Sequence, residues 1–355
     1  MMYVCISCLG AVDFFDSCVG WVRKQLRRTS KVERKEMLRA LLLATWALTV
    51  VSQEEQKYHL VLNYAKEVPK SSLCAAESLV RALRSSPSGP ATVVLWARKK
   101  EAFLAEFRET LSAIAGEATN GTVTIRVERL SVPEMLKDTP MGLMSDWGKK
   151  YVEQNKANAV RLAIVYKFGG AYLDTDVIVV KNPRAHSFAP KNVVIEERPM
   201  RLNNAAFQFE RGHPFLGAVM DRFVSNFKAI WGNNGPRVFT DVYSASCNFT
   251  NSNICKDITM IDQYHTGPIG YRDASQVFIE THCDDCDWRN RTSLQPTTTL
   301  VHLYNKRIDY ARRLFCYNYT YSTTVLAAMQ REACPLVYAA ITRTVEADSK
   351  TCDHL

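Results

Sequence analysis

Apolar and polar positions alternate along this chain in blocks that switch between two periods. "ATVVLWA" (Ala91–Ala97) is a largely apolar, strand-like run. "SSPSGP" (Ser85–Pro90) reads as a turn separating it from a helical pattern upstream. Beyond it the pattern predicts helix over 99–115, strand over 122–128, helix over 156–168, strand over 171–180, strand over 192–196 and helix over 213–230. From about Gly232 the chain is richer in Cys, Asn, Thr and Tyr and reads as loops, ending in a helix near 322–345. Helices alternating with strands predict an α/β fold with a largely parallel sheet.

One block carries chemistry: "YKFGGAYLDTDVIVVKNP", Tyr166 to Pro183. Gly169-Gly170 follows a helical pattern, as a left-handed helix terminator would. The strand that follows bears Asp174 and Asp176. Residues i and i+2 of a strand share a face, about 6.6 Å apart by rise. Two carboxylates so close repel unless a cation lies between them. Carboxylate oxygen suits Mg²⁺ or Mn²⁺, which leave coordination positions for phosphate oxygens. The bland alternative is a capped turn or a pairing with Arg or Lys. A second D-x-D, Asp285/Asp287, lies in a polar cysteine-bearing loop and reads as a solvated face.

The 355 residues, 47% hydrophobic and 23% charged, suffice for a sizeable core. The formal charge is +9, yet residues 20–39 hold eight basic residues against two acidic ones, a net of +6. The basic character therefore belongs mainly to a tail, which argues against a nucleic-acid partner. Ala40–Val51 is apolar for twelve residues, short of the roughly 20 that a span needs. A buried helix or a signal-peptide core are the alternatives, but the Lys/Arg cluster before the run favours a type II signal anchor. Either secretory reading sends the remainder into the lumen. The expected organisation is a cytosolic tail (1–36), an anchor (37–52), a short stem and first strand region (53–70), a D-x-D region (71–230), a C-terminal region (231–345) and a tail (346–355).

Cysteines and sequons agree with a lumenal location. Eight cysteines follow the apolar run, an even number that permits disulfides in 105 connectivities. Cys283-Asp-Asp-Cys286 lacks the second C-x-x-C of a zinc site and reads as a disulfide or a free pair. Four N-x-T sequons, at Asn120, Asn248, Asn290 and Asn318, lie downstream of the run.

"RLAIVYKFGGAYLDTDVIVVKN" resembles the D-x-D region of glycosyltransferase family 32, and "NNAAFQFERGHPFL", "IWGNNGPRVFTDVY" and "VHLYNKR" resemble the C-terminal region of its α1,4-glycosyltransferase group. "SLCAAESLVRAL" and "KDTPMGLMSDW" add to a likeness covering about 57–345. The resemblance implies a GT-A-like nucleotide-sugar-binding fold in a Golgi membrane enzyme. It implies hexose transfer from a UDP-sugar to a galactose-ended glycolipid or glycoprotein, with anomeric retention. It places Asp174, Asp176 and His302 on Mn²⁺ (or Mg²⁺). It places Asn158, Arg161, Gly169, Gly170, Tyr172, Gly235 and Pro236 at the donor, and Trp231, Glu210 and Asp241, less specifically, on the acceptor side. Read without it, His302 is a structural histidine, Trp231 a core or stacking residue, Gly235-Pro236 a plain turn, and Glu210 a partner of Arg211 or another surface charge. Lys306 is an additional candidate cation. One departure stands out: the family's usual S-D-x-x-R is Ala157-Asn158-Ala159-Val160-Arg161, so Asn158 replaces an aspartate. Galactosyl transfer is the leading expectation. N-acetylglucosaminyl transfer and a catalytically inactive sugar-nucleotide-binding homologue are the alternatives.

Overall fold

The computed structural model describes residues 55–347, apart from 63–67, 86–88, 118–121, 248–252, 280–282, 284–285, 293 and 308–322. The basic tail, the expected anchor and the sequons at Asn120, Asn248 and Asn318 lie outside the described residues. Among the described residues no helix is long and apolar enough to cross a membrane.

Strands β1 (Gln56–Leu62), β2 (Ala91–Ala97) and β3 (Val123–Arg129) are parallel neighbours. They are joined through helices α1 (Leu73–Arg84) and α2 (Lys100–Glu117). After β3 come a short helix α3 (Val132–Leu136) and α4 (Val152–Phe168), which returns the chain to β4 (Gly170–Leu173). β4 lies parallel to β1 on the side away from β2. A hairpin of β6 (Asn192–Arg198) and β7 (Arg201–Phe209) adds antiparallel to β4, and β8 (Ile258–Ile261) pairs parallel with β6. The order is β3-β2-β1-β4-β7-β6-β8, mainly parallel as the alternation predicts. Outside it, β5 (Val177–Val179) pairs antiparallel with β9 (Leu300–His302).

The uninterrupted apolar run of β2 has a simple cause. Val93 and Leu95 enter one apolar layer, with α1 and α2, while Val94 and Trp96 enter the other. That second layer is built by α4, α5 (Pro214–Ser225) and α6 (Val238–Cys247). The first layer is completed by α8 (Ala274–Ile279), α9 (Trp288–Arg291), α10 (Val325–Ala333) and α11 (Pro335–Ala347). The small helix α7 (Gln263–Thr266) follows β8 and is capped by the Asp262 carboxylate.

Three sequence expectations are corrected. The strand over 171–180 is two strands in different sheets, separated by a turn at Thr175–Asp176. The helix over 213–230 stops at Ser225. The terminal helix is split into α10 and α11 at Cys334-Pro335, because proline lacks the N–H a continuing helix needs and restricts the residue before it. β7, nine residues long, was not foreseen.

Gly169 and Gly170 are fixed by backbone geometry. Gly169 ends α4 at φ 66°, its N–H donating to Val165 O at 2.8 Å. Gly170 has φ 98°, and a Cβ there would lie 2.4 Å from Lys57 O. Close approach of β4 to β1 therefore demands glycine. Three disulfides, Cys74–Cys334, Cys247–Cys255 and Cys283–Cys286, join described cysteines. The C-x-x-C pair is thus a disulfide.

His59 on β1 is fully buried; its Nε2 meets Gly169 O at 2.9 Å and its Nδ1 accepts from Trp96 Nε1 at 3.2 Å. The neutral ring satisfies both contacts, and burial pushes its pKa down to about 4, against the opposing Gly169 carbonyl. An unfolded histidine titrates near 6.5, so between these values the unfolded chain binds more protons. The contribution is complete above pH 6.5 and is lost as pH falls toward 4, about 3 kcal/mol over the window. Urea unfolding of wild type and His59→Gln at pH 7 and pH 4.5 should show the variant losing less stability on acidification. Parallel losses would exclude this role.

Candidate functional site

The sheet order reverses at β1: β2 lies on one side and β4 on the other. In an open α/β sheet, ligands bind in the crevice beyond the carboxyl ends of strands at such a reversal. The carboxyl end of β4 is Leu173, and Asp174 follows it. Asp174 N–H donates to Ala205 O at 2.6 Å, and the turn closes as Val177 N–H donates to Asp174 O at 3.1 Å. The two aspartates converge because of this turn, not through strand alternation. β5 then leaves the main sheet and pairs with β9, setting Val177 opposite His302. One ligand atom from each of Asp174, Asp176 and His302 lies within 4.8 Å of the others.

Each member is held by specific contacts. Arg161, buried on α4, donates to Asp174 Oδ2 at 3.0 Å and to Asn204 O at 2.8 Å. Its guanidinium also stacks over the Tyr172 ring, 4.9 Å from the centroid, while the Tyr172 hydroxyl donates to Asp174 Oδ1 at 2.6 Å. The Asp176 Oδ2 accepts from Asn305 N–H at 3.0 Å, and Leu303 N–H donates to Asp176 O at 2.9 Å. His302 Nε2 lies 3.4 Å from Asp176 Oδ1, and its ring packs on Tyr304 with centroids 3.8 Å apart. A small open recess beside His302 is lined in part by Glu196, Glu197, Asn203 and Tyr304.

The electrostatics differ between the two carboxylates. Burial raises Asp174 above the usual range, with Arg161 opposing and Asp176 adding to the rise. Burial would raise Asp176 too, but His302 and the Asn305 N–H overcome it and hold Asp176 below the usual value. For His302, burial lowers the pKa, yet the Asp176 carboxylate outweighs it and carries it above the ordinary histidine value. Two carboxylates and an imidazole form a donor set suited to Mn²⁺ or Mg²⁺, and Arg161 keeps a buried Nε–H with no partner. The residues fit a divalent cation.

A metal ligand must shed its proton. Because His302 is protonated more readily than usual, Mn²⁺ binding near neutral pH should release a proton, and affinity should fall up to about tenfold per pH unit below the raised pKa. Calorimetry in two buffers of different ionisation enthalpy reads this directly. Identical enthalpies in both would rule out His302 as a ligand that sheds a proton.

The other expected site residues divide. Asn158 and Gly235 belong to the buried network: Asn204 Nδ2 donates to Asn158 Oδ1 at 3.1 Å, and a Cβ on Gly235 would lie 2.9 Å from Asn204 Nδ2. Pro236 follows within the turn Asn233–Arg237, where its carbonyl accepts from the Thr240 hydroxyl at 2.7 Å. Lys306 places its Nζ 3.2 Å from the Trp231 ring centroid. Gly169 and Gly170 sit at the amino end of β4, away from Asp174, and serve the backbone. Glu210 follows Phe209, which pairs with Gly170 at that same end, and it meets Lys191 at 2.9 Å. Asp241 on α6 lies 3.5 Å from Arg222. Neither Glu210 nor Asp241 is brought to the metal cluster. Sequence reasoning missed Asn203, Asn204, Glu197 and Tyr304. The double asparagine within a strand pattern was the available signal for two of them.

Residues 69–198 match the family described as glycosyltransferase sugar-binding region containing DXD motif, and residues 208–341 match the alpha 1,4-glycosyltransferase conserved region. Lactosylceramide 4-alpha-galactosyltransferase of Pongo pygmaeus is 30% identical over 223 residues, covering 60% of this chain and 94% of that one. The chain belongs to the α1,4-glycosyltransferase family. The Homo sapiens lactosylceramide 4-alpha-galactosyltransferase is also 30% identical, over 60% of this chain and 58% of its own length. The Homo sapiens alpha-1,4-N-acetylglucosaminyltransferase is 28% identical over 59% of each chain. The chain thus spans less than two thirds of the length of these two human relatives. Mouse xyloside xylosyltransferase 1 aligns with a TM-score of 0.42 at 10% identity, covering 70% of this chain and 97% of that one. The galactosyltransferase LgtC aligns at 0.39 and 13% identity, over 70% and 86%.

Proposed function

We propose that this chain is a metal-dependent hexosyltransferase that moves galactose from UDP-galactose, with retention, in α1,4 linkage to a galactose-ended glycolipid or glycoprotein. The observation that carries the reading is the convergence of Asp174, Asp176 and His302 at the sheet reversal. Membership of a family with named galactosyl- and N-acetylglucosaminyltransferases supports it. The likeness to the latter keeps N-acetylglucosaminyl transfer as the second reading.

In this reading Asp174, Asp176 and His302 hold Mn²⁺ or Mg²⁺ against the donor diphosphate. The bound ion supplies Lewis-acid neutralisation of charge on the leaving group. Arg161 fixes Asp174 from behind and offers its unpaired Nε–H to a ligand oxygen. His302, with the Asn305 N–H, keeps Asp176 ionised against burial, and Asn305 N–H orients its Oδ2. Asn158, neutral where relatives of the group carry aspartate, holds Asn204 and through it the Gly235 turn; it contributes position rather than charge. Lys306, one residue from Asn305, turns its ammonium over the aromatic pair Tyr151 and Trp231.

The lumenal, Golgi membrane location with an anchor over 37–52 belongs to the same proposal. Disulfides among the described residues support an oxidising compartment, and Asn290 is exposed. Protection of Asn290 glycans in sealed microsomes tests the topology.

The function is tested by incubating the purified chain with a panel of UDP-hexoses and a lactose-type acceptor, with Mn²⁺ or chelator. The product linkage is read by NMR. Galactosyl transfer lost on chelation is expected. If no donor is consumed with any metal, the enzyme reading fails.

A further inference from the structure

Two loops, residues 141–151 and 227–232, pack on each other. A Cβ at Gly148 would lie 2.5 Å from the Ala229 Cβ, and the Tyr151 and Trp231 rings meet edge to face at 5.6 Å. Met144, Trp147 and Phe227 turn inward against the apolar layer of α4 and α5. Four other apolar residues of the same loops turn outward: Leu143 is 99% exposed, Ile230 60%, Tyr151 41% and Trp231 40%.

Charge around this patch is mainly basic. Lys149, Lys150 and Lys228 are exposed on the two loops, and Lys306 reaches over Trp231 at 3.2 Å. The acid within the loops is Asp146, whose Oδ1 accepts the Gly148 N–H at 2.8 Å. Exposed aliphatics beside amphipathic Tyr and Trp, ringed by lysine, match the head-group region of a bilayer. Protein interfaces deplete lysine, and a nucleic acid has no use for exposed Leu143 and Ile230.

We propose that this patch rests on an anionic lipid surface. Tyr151, Trp231, Leu143 and Ile230 enter the interface while Lys149, Lys150, Lys228 and Lys306 face the lipid phosphates and carboxylates. Lys306 adjoins Asn305, so the patch lies beside the metal cluster. That it brings the site to a glycolipid head group rests on the functional reading above; the contact with lipid does not.

The test uses the full chain on phosphatidylcholine vesicles with brominated acyl chains, with or without phosphatidylserine. The emission of wild type minus that of Trp231→Phe isolates Trp231 from the other tryptophans. Quenching of that difference on phosphatidylserine vesicles, relieved by high salt, is expected. Lys149→Glu/Lys150→Glu should reduce the quenched component at least about fivefold, the weight of a single lysine at an anionic surface, while transfer to a soluble acceptor persists. A difference emission left unquenched on both vesicle types overturns the proposal, including the case in which the patch docks a protein instead. Quenching without transferase activity would sink the functional reading alone, and activity without quenching would sink this inference alone.

Discussion

Asp176→Ala is expected to lower hexosyl transfer at least about a thousandfold, the scale set by several kcal/mol of metal charge stabilisation at a transition state. The exposed control Asp221→Ala should leave the rate unchanged. Asp176 is the carboxylate that the fold keeps ionised: Asn305 N–H and His302 hold its pKa low against burial. Asp174 is raised by burial and steadied by Arg161, so it cannot substitute alone. Arg161→Ala should then act through Asp174, removing its 3.0 Å cationic partner and leaving a partly buried carboxylate held by the Tyr172 hydroxyl. The signature is a rise in the Mn²⁺ concentration needed for half-maximal rate. Retention of full activity by Asp176→Ala would remove the metal assignment even if the enzyme is real.

The second large effect concerns stability. Cys74 on α1 is joined to Cys334, the residue between α10 and α11, across a sequence separation of 260. Beside it the buried Glu77 carboxylate accepts the Leu336 and Val337 N–H groups at 2.9 and 2.8 Å, capping the start of α11. The last two helices are thus tied to the first. Loop-closure entropy for so long a loop corresponds to about 5 kcal/mol, and measured disulfides range from about 2 to 5. Cys74→Ser should lose about 3–5 kcal/mol in chemical unfolding. Cys283→Ser opens a bridge with a separation of three residues, and the same relation gives it about 2 kcal/mol. Equal losses in the two variants would show that the long closure does not stabilise this chain.

Much of the architecture was legible because local pattern and tertiary role coincide. The run Ala91–Ala97 reads as a strand, and both apolar layers take residues from it. Gly169-Gly170 reads as a helix end, and α4 does stop at Phe168, with Gly169 at φ 66°, ψ 177° rather than in the left-handed helical conformation. The aspartate pair was visible as chemistry, but its geometry was not: a turn between two sheets leaves the same letters as a strand. His302 was reached only through resemblance, since its place depends on β5 pairing with a strand more than a hundred residues later. The groups that hold the cluster are largely backbone, the Asn305 N–H and the Asn204 and Ala205 carbonyls, and carry no side-chain signature. Glu210 and Asp241, expected on the acceptor side, lie in ion pairs with Lys191 and Arg222.

The most direct measurement is calorimetric binding of UDP to the chain with Mn²⁺ and with chelator, repeated on Asp174→Asn/Asp176→Asn. Loss of two charged ligands to a cation that bridges protein and diphosphate predicts UDP affinity that requires Mn²⁺. It also predicts at least about a hundredfold weaker binding in the double variant. UDP bound equally well with chelator present, and equally by the variant, would contradict a metal–diphosphate site at Asp174, Asp176 and His302.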